Sequence, residues 1–318
     1  MVIFMRFERF DRAVADDVAA LVHSAFAPAR EAFPLNLIRP PAPFATIEEM
    51  QETLRGDGVI EDASFVAVLD GEVVSAAIAV TRGDSIGWWR IATHPDHRRA
   101  GLASECVRRG EEALRETGGE EVSTVDTVDS RWPAARALLE SLDYELVDPD
   151  QRNITMVAER WKPRPLSVAD GYEIGTLDED AIAEWMQVRN EIFNGDWEPE
   201  RFTEYFGSRP DYDPLGWFVA RHQGRIVGMT GGLAIRLDRA PDILRGGQIE
   251  YVGVLEGHRG AGLGETLMVA GMNYLAKRGA LPALLLTQPF RVPAVRLYEK
   301  VGFRTLAAWH RWAKPLAR

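Results

Sequence analysis

Apolar positions along this chain change period repeatedly, and each change marks an element. An apolar run near Val2 to Arg6 predicts a short strand, and Val14, Val18, Leu21, Val22 and Ala25 give helical spacing over Val14 to Phe26. Pro28, Pro34, Pro40, Pro41 and Pro43 then forbid regular structure and form a candidate lid, before a short helix over Ile47 to Leu54. The β-prone runs Ser64 to Leu69 and Val73 to Thr81 flank Asp70-Gly71, a pair that favours the primed turn of a hairpin; a further strand is expected over Ser85 to Thr93. After a glycine-bearing turn come a helix ending near Thr117 before Gly118-Gly119, a strand over Val122 to Thr127, and a helix over Pro133 to Ser141 with proline in its first turn. Short strands near Tyr144 to Val147 and Asn153 to Ala158 are expected to finish the first half.

The pattern then begins again. A strand is expected over Tyr172 to Thr176, a helix over Asp180 to Ile192, a loop through Asn194-Gly195-Asp196-Trp197, and a short helix after Pro199. A hairpin follows, with Trp217 to Arg221 and Val227 to Ile235 across Gln223-Gly224, and then an apolar strand over Ile249 to Val254 that turns through glycines into a helix over Glu265 to Arg278. Arg98 and Arg259 are about 160 residues apart at equivalent places in this succession, which indicates one fold present twice. The expected division is a first domain over residues 1–158, a linker over 159–170 around Lys162-Pro163-Arg164-Pro165, and a second domain over 171–318. Each should be α/β (α+β): a mixed, mostly antiparallel sheet flanked by helices. The strands on either side of the glycine-turn helix should be parallel through a right-handed crossover.

Composition narrows the function classes. A formal net charge of −11 argues against a general nucleic-acid or anionic-membrane binder and suits an amine-bearing partner. No apolar run is long enough to cross a bilayer, and the charged start lacks a signal-peptide pattern, so a cytoplasmic protein is expected. The single cysteine, Cys106, falls on the apolar face of a predicted helix and reads as a buried thiol. Nothing in the sequence calls for a metal.

The candidate chemistry lies at Arg259-Gly260-Ala261-Gly262-Leu263-Gly264. A strand that turns through glycines into a helix leaves backbone N–H groups unpaired at the helix start, and with the helix dipole these form a cradle for phosphate. Neither the dinucleotide fingerprint nor the Gly-Lys-Ser/Thr of a Walker loop is present. The turn resembles the Gln/Arg-x-x-Gly-x-Gly/Ala signature of the GCN5-related N-acetyltransferase superfamily. Arg98-Arg99-Ala100-Gly101-Leu102-Ala103 is similar in the first half, and Ala294 through Leu297-Tyr298 to Gly302-Phe303 resembles the superfamily's closing segment.

The resemblance implies two tandem domains of that fold and acetyl-CoA as cosubstrate. It implies that the amides of Gly260, Ala261, Gly262, Leu263 and Gly264 hold the diphosphate beside Arg259, while the backbone of Val252 and Val254 pairs with pantetheine as an added strand. Arg98, Arg99, Ala100, Gly101 and Ala103 would form a second cradle. Tyr298 would be the acid that protonates the leaving thiolate, and Glu250 a candidate base working through water. Asn194, Asp196, Trp197 and Glu198 would line the acceptor pocket. Aligning Ala135 with Ala294 puts Leu138-Leu139 opposite Leu297-Tyr298, so the first half lacks that acid and is expected to be catalytically degenerate. The implied activity is direct acetyl transfer to a primary amine of a small molecule. The two-copy architecture resembles mycothiol synthases, which acetylate a cysteinyl amine, although Gln248 stands at a common glutamate site and Arg291 where asparagine is usual. Protein N-termini are another acceptor class, and a coenzyme-binding sensor without turnover is the alternative from a different class.

Overall fold

The computed structural model describes residues 4–27, 46–83, 85–125, 128–147, 153–208, 212–236 and 245–316. The proline-rich candidate lid lies outside them. The chain forms two compact units: Met1–Arg152 with Ala307–Arg318, and Asn153–Leu306.

In the first unit, β1 (Met5–Arg9), β2 (Phe65–Leu69), β3 (Glu72–Arg82) and β4 (Ser85–Thr93) pair antiparallel in chain order. β5 (Glu121–Thr124) joins β4 in parallel. Successive residues of β2 alternate between two cores, as a pleated strand requires. Val66 and Val68 meet α1 (Ala15–Ala25) and α2 (Ile47–Arg55) on one face. Phe65 and Ala67 meet α3 (Leu102–Glu116) and α4 (Pro133–Ser141) on the other. Asp70 and Gly71 both take positive φ, 51° and 94°, as the primed hairpin turn demands.

The short strands β6 (Val128–Asp129) and β7 (Glu145–Val147) follow in the chain. The strand Asn153–Ala158, now β8, does not finish the first half. It pairs antiparallel with β13 (Ala283–Thr287) in the second unit, from Ala283↔Ala158 to Thr287↔Ile154. The neighbour of β5 is instead β14 (Arg304–Pro315), through Ala313↔Ser123 and Pro315↔Glu121. The expected boundaries at residues 158 and 171 thus differ from the observed units at both ends. A strand joins whichever exposed edge its side chains and backbone satisfy, and proximity in sequence does not decide that edge.

A buried polar group fixes β14 in the first unit. Glu111 on α3, only 1% exposed, accepts from Lys314 Nζ of β14 at 2.8 Å, from Tyr144 Oη at 2.9 Å and from Arg115 Nη2 at 3.3 Å. Trp88 Nε1 donates to the same tyrosine oxygen at 2.6 Å. A buried carboxylate is tolerated where cations and hydroxyls satisfy it. Asp143, in the left-handed region at φ 62°, stands where the second half has Gly302 at φ 110°, and the tyrosine after it gains this network.

The second unit has the order β8-β13-β12-β11-β10-β9, with β9 (Tyr172–Thr176), β10 (Trp217–His222), β11 (Arg225–Arg236) and β12 (Arg245–Val254). All neighbours are antiparallel except β12 and β13, the expected parallel pair. The longer helices are α5 (Ile182–Phe193), α6 (Leu263–Lys277) and α7 (Val292–Val301), and the short helix expected after Pro199 spans Glu200–Phe202. Among the described residues no helix is long and apolar enough to cross a membrane.

Candidate active site

The glycine turn of the second unit sits where β12 parts from β13. Their parallel pairing stops at Gly247↔Ala283 and Gln248↔Leu284, so no strand among the described residues pairs with the rest of β12 on that side. A bulge with Tyr251 in the left-handed region at φ 51° bends the strand there. Leu255 N–H donates to Val227 O at 2.9 Å, so by alternation the N–H and C=O of Val254 face away from β11 into the gap.

Gly260 and Gly262 take φ 87° and 78°, and nothing lies within 4 Å of where a Cβ would stand on either. Among the described residues the N–H groups of Gly260, Ala261, Gly262, Leu263 and Gly264 have no partner; the first three precede α6 and the last two open it. Arg259 Nε donates to Val254 O at 3.1 Å, which holds the guanidinium over the same opening. Five free donors, a helix N-terminus and a cation suit a diphosphate.

Helix α7 packs against this turn. A Cβ on Gly264 would stand 3.2 Å from Leu297 Cδ2, and Lys300 pairs with Glu265. Tyr298 is thus carried on the helix that packs against the cradle; the residue is 7% exposed and its hydroxyl is unbonded among the described residues. Burial pushes its hydroxyl up to about 12, while Arg291 pulls the other way. It stays protonated throughout the neutral range.

Glu250 is half-buried and accepts a hydrogen bond from Gln248 Nε2, so these two share a face of β12. The bulge falls between Glu250 and Val252, and the period-two relation expected of that pair does not carry across it. Of the expected acceptor residues, Trp197 is half-buried, with its ring centroid 6.3 Å from that of Tyr251. Its backbone is clasped by Asn190, which donates to its carbonyl at 2.8 Å and accepts from its N–H at 3.1 Å. Asn194, Asp196 and Glu198 are exposed; Asn194 takes φ 52° and ends α5. His258 accepts from or donates to Tyr172 Oη at 3.1 Å at the edge of the turn.

Sequence reasoning missed the surroundings of Tyr251. Its ring lies 5.6 Å from each of Trp185, Phe193 and Phe206, and Arg189 Cζ lies 5.6 Å from it and 4.0 Å from Trp197. The density of aromatic residues between Trp185 and Trp217 was the available signal.

The first unit repeats the cradle with different chemistry. Among the described residues β4 and β5 pair only at Gly87↔Ser123 and Trp88↔Thr124, and α3 starts from Gly101 at φ 76°. A cavity of about 680 Å³ opens there, lined by Thr93, Arg98, Arg99, Gly101, Trp132 and Leu138 among others. Leu139, at the place of Tyr298, is 3% exposed. Arg98 Nη2 donates to Ala25 O at 2.7 Å, and Phe26 packs on Trp132 at 5.5 Å in the same cavity. Cys106 is fully buried, and desolvation pushes its thiol up to about 12, so it is no nucleophile.

Arg99 holds φ 64° where the second unit has Gly260 at 87°. A side chain in that region costs about 1–2 kcal/mol, partly offset in a glycine variant by extra freedom of its unfolded chain. Arg99→Gly is expected to stabilise the protein by about 0.5 kcal/mol in urea unfolding. A loss of stability would mean that the arginine makes a compensating contact.

A strand split, a glycine cradle and an apposed helix, all present twice, define the class. The chain belongs to the acetyltransferase (GNAT) family, whose model matches residues 32–144 and 182–303. Similarity extends to the mycothiol acetyltransferase of Parafrankia sp. (strain EAN1pec), 27% identical over 303 residues that cover 84% of this chain and 88% of the relative. The mycothiol acetyltransferase of Frankia casuarinae is 32% identical over 240 residues, covering 71% of this chain and 68% of the relative. The tandem GNAT protein from the clavulanic acid biosynthesis pathway superposes with a TM-score of 0.63 at 17% identity, covering 99% of both chains. A GCN5-related N-acetyltransferase from Sphaerobacter thermophilus gives 0.62 at 22%, covering 99% of this chain and 96% of its own. Both likenesses show the tandem fold.

Proposed function

We propose that the chain transfers the acetyl group of acetyl-CoA to a primary amine of a small molecule, with the chemistry in the second unit. The observation that carries this reading is the buried Tyr298, its hydroxyl unbonded among the described residues, on the helix packed against the open glycine cradle, against leucine at the matching place in the first unit. The amides of Gly260 to Gly264 with Arg259 suit the diphosphate, and the edge of β12 at Val252 and Val254, where only the Val254 carbonyl is engaged by Arg259 among the described residues, suits pantetheine amides. The bound thioester supplies the acetyl group.

The chain's own residues do the rest. The backbone N–H of Val252 polarises the thioester carbonyl. Glu250, held by Gln248, takes up through water the proton that the amine nitrogen loses as it bonds to the carbonyl carbon. Tyr298 gives its proton to the sulfur as the carbon–sulfur bond breaks. The products are an amide and a free thiol, and the two protein groups end with the opposite proton balance, restored through solvent.

The first unit keeps the cradle without the acid, which fits a coenzyme-binding or packing role without turnover. The test is release of free thiol from acetyl-CoA in the presence of an amine panel, with the product identified by its acetyl mass gain. Thiol release with an amine and none without one is expected; coenzyme binding with no release from any amine would favour a sensor. The cysteinyl amine of a mycothiol precursor belongs in the panel because the relatives named above are mycothiol acetyltransferases.

A further inference from the structure

The aromatic cluster around Tyr251 contains a buried cation that forms no ion pair with a carboxylate among the described residues. Arg189, on α5, is 9% exposed. Its Nη1 donates to Asn190 Oδ1 at 2.9 Å, its guanidinium lies against Trp197 and Tyr251, and its Nε has no partner among the described residues. No carboxylate among the described residues pairs with it. The indole N–H groups of Trp185 and Trp217, both 0% exposed, are also unpartnered, and their rings lie 5.6 Å and 6.4 Å from Tyr251. The cluster thus holds three donors left unsatisfied by the described residues, one of them charged. Buried donors are almost always paired, and a buried charge requires a counter-charge.

A negative group and a positive group act on one hydroxyl here. Glu250 precedes Tyr251 in β12, and the charges of both Glu250 and Arg189 act on the Tyr251 hydroxyl, in opposite senses. A ligand that answers both has an amine to place near Glu250 and an oxyanion to place near Arg189.

We propose that Arg189 is a specificity-determining residue that recognises a carboxylate on the acceptor, so that the amine substrate is a zwitterionic amino acid rather than a simple amine. This rests on the second unit being the acetyltransferase site. Guanidinium and carboxylate match in geometry as well as charge, and a neutral amide oxygen offers the same donors a much weaker partner.

The experiment pairs each of several amino acids, glycine, β-alanine, γ-aminobutyrate and L-glutamate, with its carboxamide, which differs only in the missing negative charge. Calorimetric binding in the presence of coenzyme A and kcat/KM for acetyl transfer are measured for the wild-type protein and for Arg189→Gln, with thermal melting as the control for folding. For at least one pair the acid is expected to exceed its amide by about ten- to hundredfold in kcat/KM, mostly through KM, and the ratio should fall to near one in the variant. Equal use of acid and amide by the wild-type protein overturns the proposal, even if the variant fails to fold, and so does a ratio that survives Arg189→Gln. Selective binding of the acids without turnover would retain the role of Arg189 and reject the transferase reading. No binding of any acid would reject the carboxylate role, whether or not other amines are acetylated.

Discussion

Tyr298→Phe is expected to lower kcat by about two to four orders of magnitude while leaving the melting temperature nearly unchanged. The substitution removes one oxygen from a ring that is otherwise held by packing, with Phe303 at 6.4 Å between ring centroids. Because the hydroxyl bonds to no described residue, its loss leaves no buried partner unsatisfied. What disappears is the proton donor for the departing sulfur. Since burial raises this hydroxyl to about 12, the acid form persists as pH rises, and wild-type kcat should show no alkaline loss below about pH 10. Any fall in rate toward acid belongs to protonation of the amine or of its base. Steady-state thiol release for both proteins across pH would check this, and an unchanged rate in the variant with every acceptor would remove Tyr298 from the chemistry.

Gly262→Glu is expected to weaken coenzyme binding to the second unit by at least about a hundredfold and to abolish turnover with it. Two effects combine. The backbone there is at φ 78°, which a side chain occupies only with strain, and the new carboxylate would bring a negative charge to the turn proposed to bind the diphosphate. Gly101→Glu sets the same charge into the first cradle, at φ 76°. Titration calorimetry with acetyl-CoA should lose one binding event in each variant, and turnover should follow the Gly262 site. Turnover that instead disappears with Gly101→Glu alone would exchange the proposed roles of the two units.

Much of this was legible locally. Asp70-Gly71 and Gln223-Gly224 are turns whose residues supply the positive φ that a tight hairpin needs, and both hairpins form. Ser85 to Thr93 and Tyr172 to Thr176 have the same bounds as the strands they predicted. The two glycine turns were visible because φ near 77° at Gly101 and Gly262 is a local demand that a sequence answers with glycine.

What depended on distant partners was not legible. Asn153–Ala158 is an apolar strand in either unit, and only the edge of β13 determines where it goes. The bulge at Tyr251 has a tyrosine in the left-handed region, a choice local preference would not predict; the surrounding rings hold it there. Arg189 reads as one polar position on an amphipathic helix until folding buries it.

The placement of β14 sets an order of events during synthesis. The edge of β5 that pairs with Ala313, Lys314 and Pro315 is exposed on any nascent chain that has not yet delivered those residues, and all of Asn153–Leu306 is translated before them. An uncovered strand edge invites pairing with other chains. The first unit is therefore made first and finished last: on the ribosome its Glu111 waits for Lys314 through the whole translation of the second unit, and a fragment ending at residue 158 would keep that edge open permanently.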